Sequence, residues 1–312
     1  MSVQIPRKER WEDLRDLCRA DGGKYSVSTL KDASRFCLHW ARQHYENFPV
    51  ASLLLSPQTR AHVAHLYAFA RLADDIADHP TASPTEKLQL LEMLEQNLLE
   101  PLRAESLPGN PVLAAFCSTL RTTGLPLSLP KRLLVAFRYD ACFRPFATWQ
   151  DVEWYCHHSA NPIGEALLFL HQSCTPQALC ASNALCTALQ VLNFWQDLSV
   201  DLPRGRCYLP QQLLERHGLP EPAALWQNSA KLQLCLAEVA AFVQQRLERA
   251  KTLWRAASHP RLRWQIALTL AAADTLYERL VDLGDRVLSY RPQLSGIDGI
   301  VLLIRSWRYR SR

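Results

Sequence analysis

Two segments of this chain set acidic residues at helical spacing inside strongly apolar sequence, and no other feature constrains its fold as tightly. At about 100° per residue, Tyr67, Arg71, Asp74 and Asp78 fall within an arc of about 60° on one helix. Leu66, Ala70, Ala73 and Ala77 form the apolar stripe beside them. The second segment repeats the pattern: Gln190, Asn193, Asp197 and Asp201 share one face within about 80°. Val191, Leu192, Phe194, Trp195, Leu198 and Val200 cover the rest. Both spacings predict helices that point carboxylates at one place.

The remainder reads the same way. Helical patterns run from Ser34 to a break at Phe48 and Pro49, from Ser56 to Asp78, and from Thr85 to Leu102, where Leu88, Leu91, Leu94 and Leu98 keep the period. They resume over 131–143, 149–159, 163–172, 176–201, 228–257 and 262–283. Only 10 Gly stand against 19 Pro, and alternating β-branched runs closed by Asn-Gly or Asp-Gly turns are missing, which argues against a sandwich or barrel. With 48% apolar and 21% charged residues the composition is globular, which excludes wholesale disorder and fibres. No fixed-period repeat or long hydrophilic linker separates two cores. The expected fold is therefore all-α and single-domain, with a charged lead-in over 1–30, a helical domain over 31–290 and a basic tail over 291–312.

Charge and cysteine usage place the chain in a cell. The net charge of +5 is not blocky except near the end, where Arg305, Arg308, Arg310 and Arg312 alternate with Trp307 and Tyr309. Such a tail suits an anionic surface, with a frayed solvated end as its plainer reading. The 10 Cys are scattered without a Cys-x-x-Cys pair, as expected of reduced, buried small residues. The N-terminus lacks the apolar core of a secretory signal, and no stretch approaches the roughly 18 apolar residues of a membrane span. The expected location is cytoplasmic, with a peripheral contact at an inner membrane.

Like charges four apart on a helix repel by roughly 0.2 to 0.5 kcal/mol in water, and by more among apolar walls. A divalent cation reverses that sign. If the two helices oppose each other across a cavity, Asp74, Asp78, Asn193, Asp197 and Asp201 present hard oxygen ligands. These suit Mg²⁺, which accepts few protein ligands and takes the rest from water and phosphate oxygens. Arg71, Gln190, Arg204 and Arg206 lie close in sequence to the anion such a metal would hold. His62 and His65 lack in-phase acidic or Cys partners and read as surface or helix-packing residues.

These residues resemble the squalene and phytoene synthase family of head-to-head prenyl transferases. Asp74, Asp75 and Asp78 match its first aspartate-rich motif, and Asp197 and Asp201, followed by Gly205, Arg206, Tyr208 and Pro210, match its second. The resemblance implies an isoprenoid-synthase-type helical bundle around a central cavity, three Mg²⁺ ions at the diphosphate, and an apolar tunnel for isoprenoid chains. It also implies cavity roles for Tyr155 and Tyr277. Tyr45, Phe48, Phe169 and Trp195 are further candidates to line that cavity, and Asn161 or Tyr155 to orient a water.

The departures from the family narrow the expectation. Its members usually carry a Ser-basic-Ser-Phe segment on the first helix; Tyr45, Glu46, Asn47 and Phe48 take that place here. The residue before the second motif, commonly Arg, is Gln196, and a Gly-rich helix break becomes Ser159 to Gly164. Fewer cations imply less diphosphate charge to neutralise, so one diphosphate substrate fits better than two. That pattern resembles the hydroxysqualene synthase branch, which converts presqualene diphosphate to hydroxysqualene with water capturing the carbocation. The branch implies no NADPH, and the chain has no Gly-x-Gly-x-x-Gly in a βαβ context. The alternative is a condensing squalene, presqualene diphosphate or phytoene synthase. Expected partners are an isoprenoid diphosphate, a membrane surface and other hopanoid-pathway enzymes, with no nucleic acid.

Overall fold

The computed structural model describes residues 10–44, 55–104, 109–293 and 298–309. Every regular element among them is helical, and they form two compact units, Met1–Phe143 and Arg144–Arg312.

The first unit holds α1 (Trp11–Cys18), α2 (Leu30–His44), α3 (Pro57–Ala77), α4 (Pro84–Ala104), α5 (Pro111–Thr123) and α6 (Ser128–Ala141). Local chemistry sets the boundaries. Ser56 accepts from the Thr59 N–H with Pro57 in the first turn, and Asn110 accepts from Val112 and Leu113 with Pro111 behind it. Gly124 ends α5 in the left-handed region, at φ 70°. The core face of α3 buries Leu66, Phe69, Leu72, Ala73 and Ile76, and Phe69 stacks on Phe116 of α5 with ring centroids 4.7 Å apart. Helix α1, inside the stretch read as a lead-in, buries Leu14, Leu17 and Cys18. Its Asp13 is buried too, and is satisfied by Lys24 Nζ at 2.5 Å and Tyr25 Oη at 2.8 Å. Three apolar positions among charges are too few for periodicity to reveal.

The second unit holds α7 (Trp149–Ser159), α8 (Asn161–Leu170), α9 (Pro176–Gln196), α10 (Leu198–Asp201), α11 (Gln211–Arg216), α12 (Ser229–Ala250), α13 (Leu253–Ala256), α14 (Pro260–Leu283) and α15 (Asp298–Ser306). Helix α9 is the centre of this unit, packed against α8, α12 and α14. Its approach to α8 depends on Gly164, where an added Cβ would come within 2.6 Å of both Ser182 Oγ and Cys186 Sγ. Thr148 and Asp151 close a reciprocal capping box at the start of α7. The cysteines are all free, and burial raises the Cys117 and Cys186 thiols to about 11, well above attack-ready values.

Candidate active site

On α3 the acidic stripe is the accessible side of an otherwise buried helix. Tyr67, Arg71 and Asp74 are half-buried and Asp78, at the C-cap, is exposed, while Ala73, Ile76 and Ala77 are buried. Arg71 is committed within its own helix: Nη2 meets Asp75 Oδ1 at 2.8 Å and Nη1 meets Asp74 Oδ2 at 3.4 Å. Burial works against the charged guanidinium, but Asp75, Asp74 and Tyr67 outweigh it and hold its pKa above the ordinary arginine value. Asp75, only 5% exposed, is the residue that sequence phase passed over. It points away from the stripe and fixes Arg71 beside it; an Arg-to-Asp spacing of four was its available signal.

In the second unit the expected single helix over 176–201 breaks at Asp197, whose φ and ψ of −94° and 7° interrupt α9. The register survives, because the Asp197 N–H bonds Asn193 O and the Asp201 N–H bonds Asp197 O, each at 2.9 Å. Asn193 is therefore exposed, and Gln190, Asp197 and Asp201 half-buried, on one continuing ridge. After Asp201 the chain turns through Gly205, at φ 73°, a conformation that costs a side chain roughly 1–2 kcal/mol. The turn returns the Arg206 N–H to Asp201 O at 3.0 Å and sets Arg206 Nη1 3.5 Å from Tyr208 Oη. Arg204 is exposed.

Two contacts absent from the sequence reading bind the end of this unit to the ridge. Arg291 forks onto Asp197: Nε donates to Oδ1, and Nη2 donates to Oδ2 at 3.1 Å. Next to it, Gln196 Nε2 donates to Pro292 O at 2.5 Å. Gln196, standing where the resemblance implies an arginine, thus anchors the segment that delivers Arg291.

The aromatic candidates divide. Tyr155 is buried in a cluster with Phe146, Phe194 and Tyr208, with centroid separations of 5.4 Å to Phe146, 5.8 Å to Phe194 and 6.3 Å to Tyr208. Phe194 and Tyr208 stack at 4.3 Å and 6°. Two of its rings, Phe194 and Tyr208, lie within three residues of Asp197 and Arg206 in sequence. Trp195 is 1% exposed, and its buried Nε1 has no hydrogen-bond partner among the described residues. Asn161 is buried, with Oδ1 accepting from Thr187 Oγ1 at 3.4 Å, and Phe169 is half-buried. Tyr277 is half-buried as well, and desolvation raises its phenol pKa. Tyr45 and Phe48 lie outside the described residues. His65 is buried between Thr119 Oγ1 and Ser34 Oγ, both at 2.8 Å, a packing residue.

Among the described residues no three His, Cys, Asp or Glu side chains gather closely enough to hold a metal by themselves. The donors come as pairs one turn apart, Asp74 with Asp78 and Asp197 with Asp201, all accessible hard oxygens. Each pair by itself offers the few hard oxygens that suit Mg²⁺, which keeps waters and recruits phosphate oxygens where protein ligands are few.

The squalene/phytoene synthase family model matches residues 41–298, which include both acidic ridges. The chain belongs to that family. It is 34% identical over 244 residues to a hydroxysqualene synthase of Sinorhizobium fredii, covering 77% of this chain and 81% of that one. Identity to the hydroxysqualene synthase of Zymomonas mobilis is 32% over 293 residues, covering 91% and 96%. A crystal structure of a squalene synthase from Alicyclobacillus acidocaldarius superposes with a TM-score of 0.75 at 30% identity, over 85% of this chain and 98% of that one. The family acts on isoprenoid diphosphates, so this chain is a prenyl-transferring enzyme of squalene-type biosynthesis with the family's all-α fold.

Proposed function

We propose that the enzyme converts presqualene diphosphate to hydroxysqualene and diphosphate. The observation that carries this reading is similarity to hydroxysqualene synthases at 32–34% identity across most of the chain, against 29% for a phytoene synthase of Rhodobacter capsulatus over 72%. The residue chemistry agrees, since Glu46 and Gln196 stand where condensing members carry cations, and one diphosphate needs fewer of them.

In the reaction the C–O bond breaks with its electron pair going to diphosphate, and the cation left behind takes the oxygen of water and releases a proton. Mg²⁺, when bound, would supply the positive charge that stabilises the departing diphosphate. The proposed ligands are Asp74, Asp78, Asn193, Asp197 and Asp201, with Arg71, Gln190, Arg204 and Arg206 toward the diphosphate. Arg71 is held ready by Asp75, so little reorganisation accompanies charge development. Aromatic faces of Tyr155, Phe194 and Tyr208 would stabilise a neighbouring cation by roughly 0.5–2 kcal/mol each and keep stray water away. Tyr155 and Asn161 are the candidates to orient the capturing water. No nicotinamide is consumed.

The test is incubation of purified enzyme and Mg²⁺ with presqualene diphosphate, without nicotinamide. Hydroxysqualene is the expected product. Turnover of farnesyl diphosphate alone would instead establish the condensing reaction and end this reading.

A further inference from the structure

Helix α15 is built inside out. Its polar residues face the protein: Asp298 and Ser306 are buried, Arg305 Nη1 lies 2.6 Å from Glu278 Oε2 and 3.1 Å from Thr275 Oγ1, and Arg279 Nη1 lies 3.2 Å from Asp298 Oδ2. Just beyond it, Tyr309 Oη donates to Asp274. Ion pairs and hydrogen bonds thus fasten this helix to α14. Apolar residues occupy its outward side: Val301, Leu303 and Ile304, with Trp307 just after the helix, are 41, 44, 68 and 63% exposed. A surface helix ordinarily buries that stripe and exposes the polar one. Isolated exposed apolar side chains need no explanation, but a contiguous stripe marks an interaction surface.

Charge decides what the stripe meets. From residue 299 to 312 the sequence has no acid and four arginines, Arg305, Arg308, Arg310 and Arg312, and Arg305 is paired with Glu278 of α14. A second copy of this chain would bring those cations together. An anionic bilayer would pair them with lipid phosphate while Ile304 and Trp307 enter the boundary between headgroups and acyl chains, the depth that tryptophan favours. No helix among the described residues is long and apolar enough to cross a membrane.

We propose that the outward face of α15, Val301, Leu303 and Ile304, together with Trp307 just after it, is a docking surface that inserts shallowly into an anionic lipid bilayer, drawn there by the basic sequence that ends the chain. This placement does not depend on which prenyl diphosphate is processed, and the two readings fail separately.

The experiment is sedimentation of the full chain with phosphatidylcholine vesicles, with and without phosphatidylglycerol. Wild type is expected to sediment with the mixed vesicles, to bind neutral ones at least about tenfold more weakly, and to be released by high salt. The double variant I304S/W307S is expected to lose about tenfold or more in partition while its far-ultraviolet circular dichroism stays that of the wild type. R308Q/R310Q/R312Q should weaken anionic binding about tenfold or more and leave neutral binding as it was. Equal binding by wild type and I304S/W307S would overturn the proposal, as would a lipid-free wild-type dimer that this double substitution turns into a monomer.

Discussion

Replacing Arg291 by Gln should tighten metal binding to the substrate-free enzyme. Arg291 occupies both oxygens of Asp197, so a cation that uses this carboxylate must first displace the fork. The Arg291 side chain is 40% and the Asp197 side chain 28% exposed, so solvent screening keeps the pair within the range of accessible ion pairs, about 0.5–1 kcal/mol. Removing that competition should raise affinity by about two- to fivefold. The assay is a Mn²⁺ titration followed by electron paramagnetic resonance at low salt, with Mn²⁺ standing in for Mg²⁺. Added salt should narrow the difference between wild type and R291Q, because it weakens the ion pair in the wild type. In turnover the sign reverses: an arginine freed from Asp197 stands beside the departing diphosphate, so R291Q should lower kcat. Unchanged or weaker Mn²⁺ binding by R291Q would refute the reasoning, since either Asp197 is no metal ligand or the fork does not guard it.

Other consequences are more local. Asp75→Asn leaves Arg71 half-paired in a largely buried position, and urea unfolding should report a loss of about 1–3 kcal/mol with a fall in kcat. Gly205→Ala meets open space, so its cost is the left-handed backbone alone, about 1–2 kcal/mol, with the Arg206 turn loosened; thermal unfolding and activity measure each part. Burial, aided by the nearby His62, lowers the His65 pKa from 6.5 to about 4. The unfolded chain therefore takes up the proton first, so this stabilisation is complete above pH 6.5 and is lost as pH falls toward 4. The loss should be about 3 kcal/mol, and His65→Gln should flatten the profile.

How much of this was legible beforehand follows from range. Helices α3, α4 and α14 lie within a few residues of where periodicity sets them, and α9 and α12 begin where it does, because caps such as Ser56, Thr175 and Asn228 are local signals; α9 ends at Gln196 rather than Asp201, and α12 at Ala250 rather than Ala257. The two ridges were legible for the same reason, since phase on one helix needs no tertiary knowledge. The fork of Arg291 onto Asp197 spans 94 residues and leaves no trace in local spacing. The cluster of Phe146, Tyr155, Phe194 and Tyr208 gathers rings from four separate stretches, so only Tyr155 was foreseen, and through the family resemblance alone. Within the tail, composition showed the arginines, but only packing on α14 reveals which stripe of α15 faces out.

The central claim is that water ends the reaction, and isotope labelling tests it directly. Purified enzyme, Mg²⁺ and presqualene diphosphate are incubated without nicotinamide in oxygen-18 water, and the product is weighed by mass spectrometry. The account predicts hydroxysqualene with a single heavy oxygen in its hydroxyl group. An unlabelled alcohol, or a hydrocarbon in its place, would contradict it.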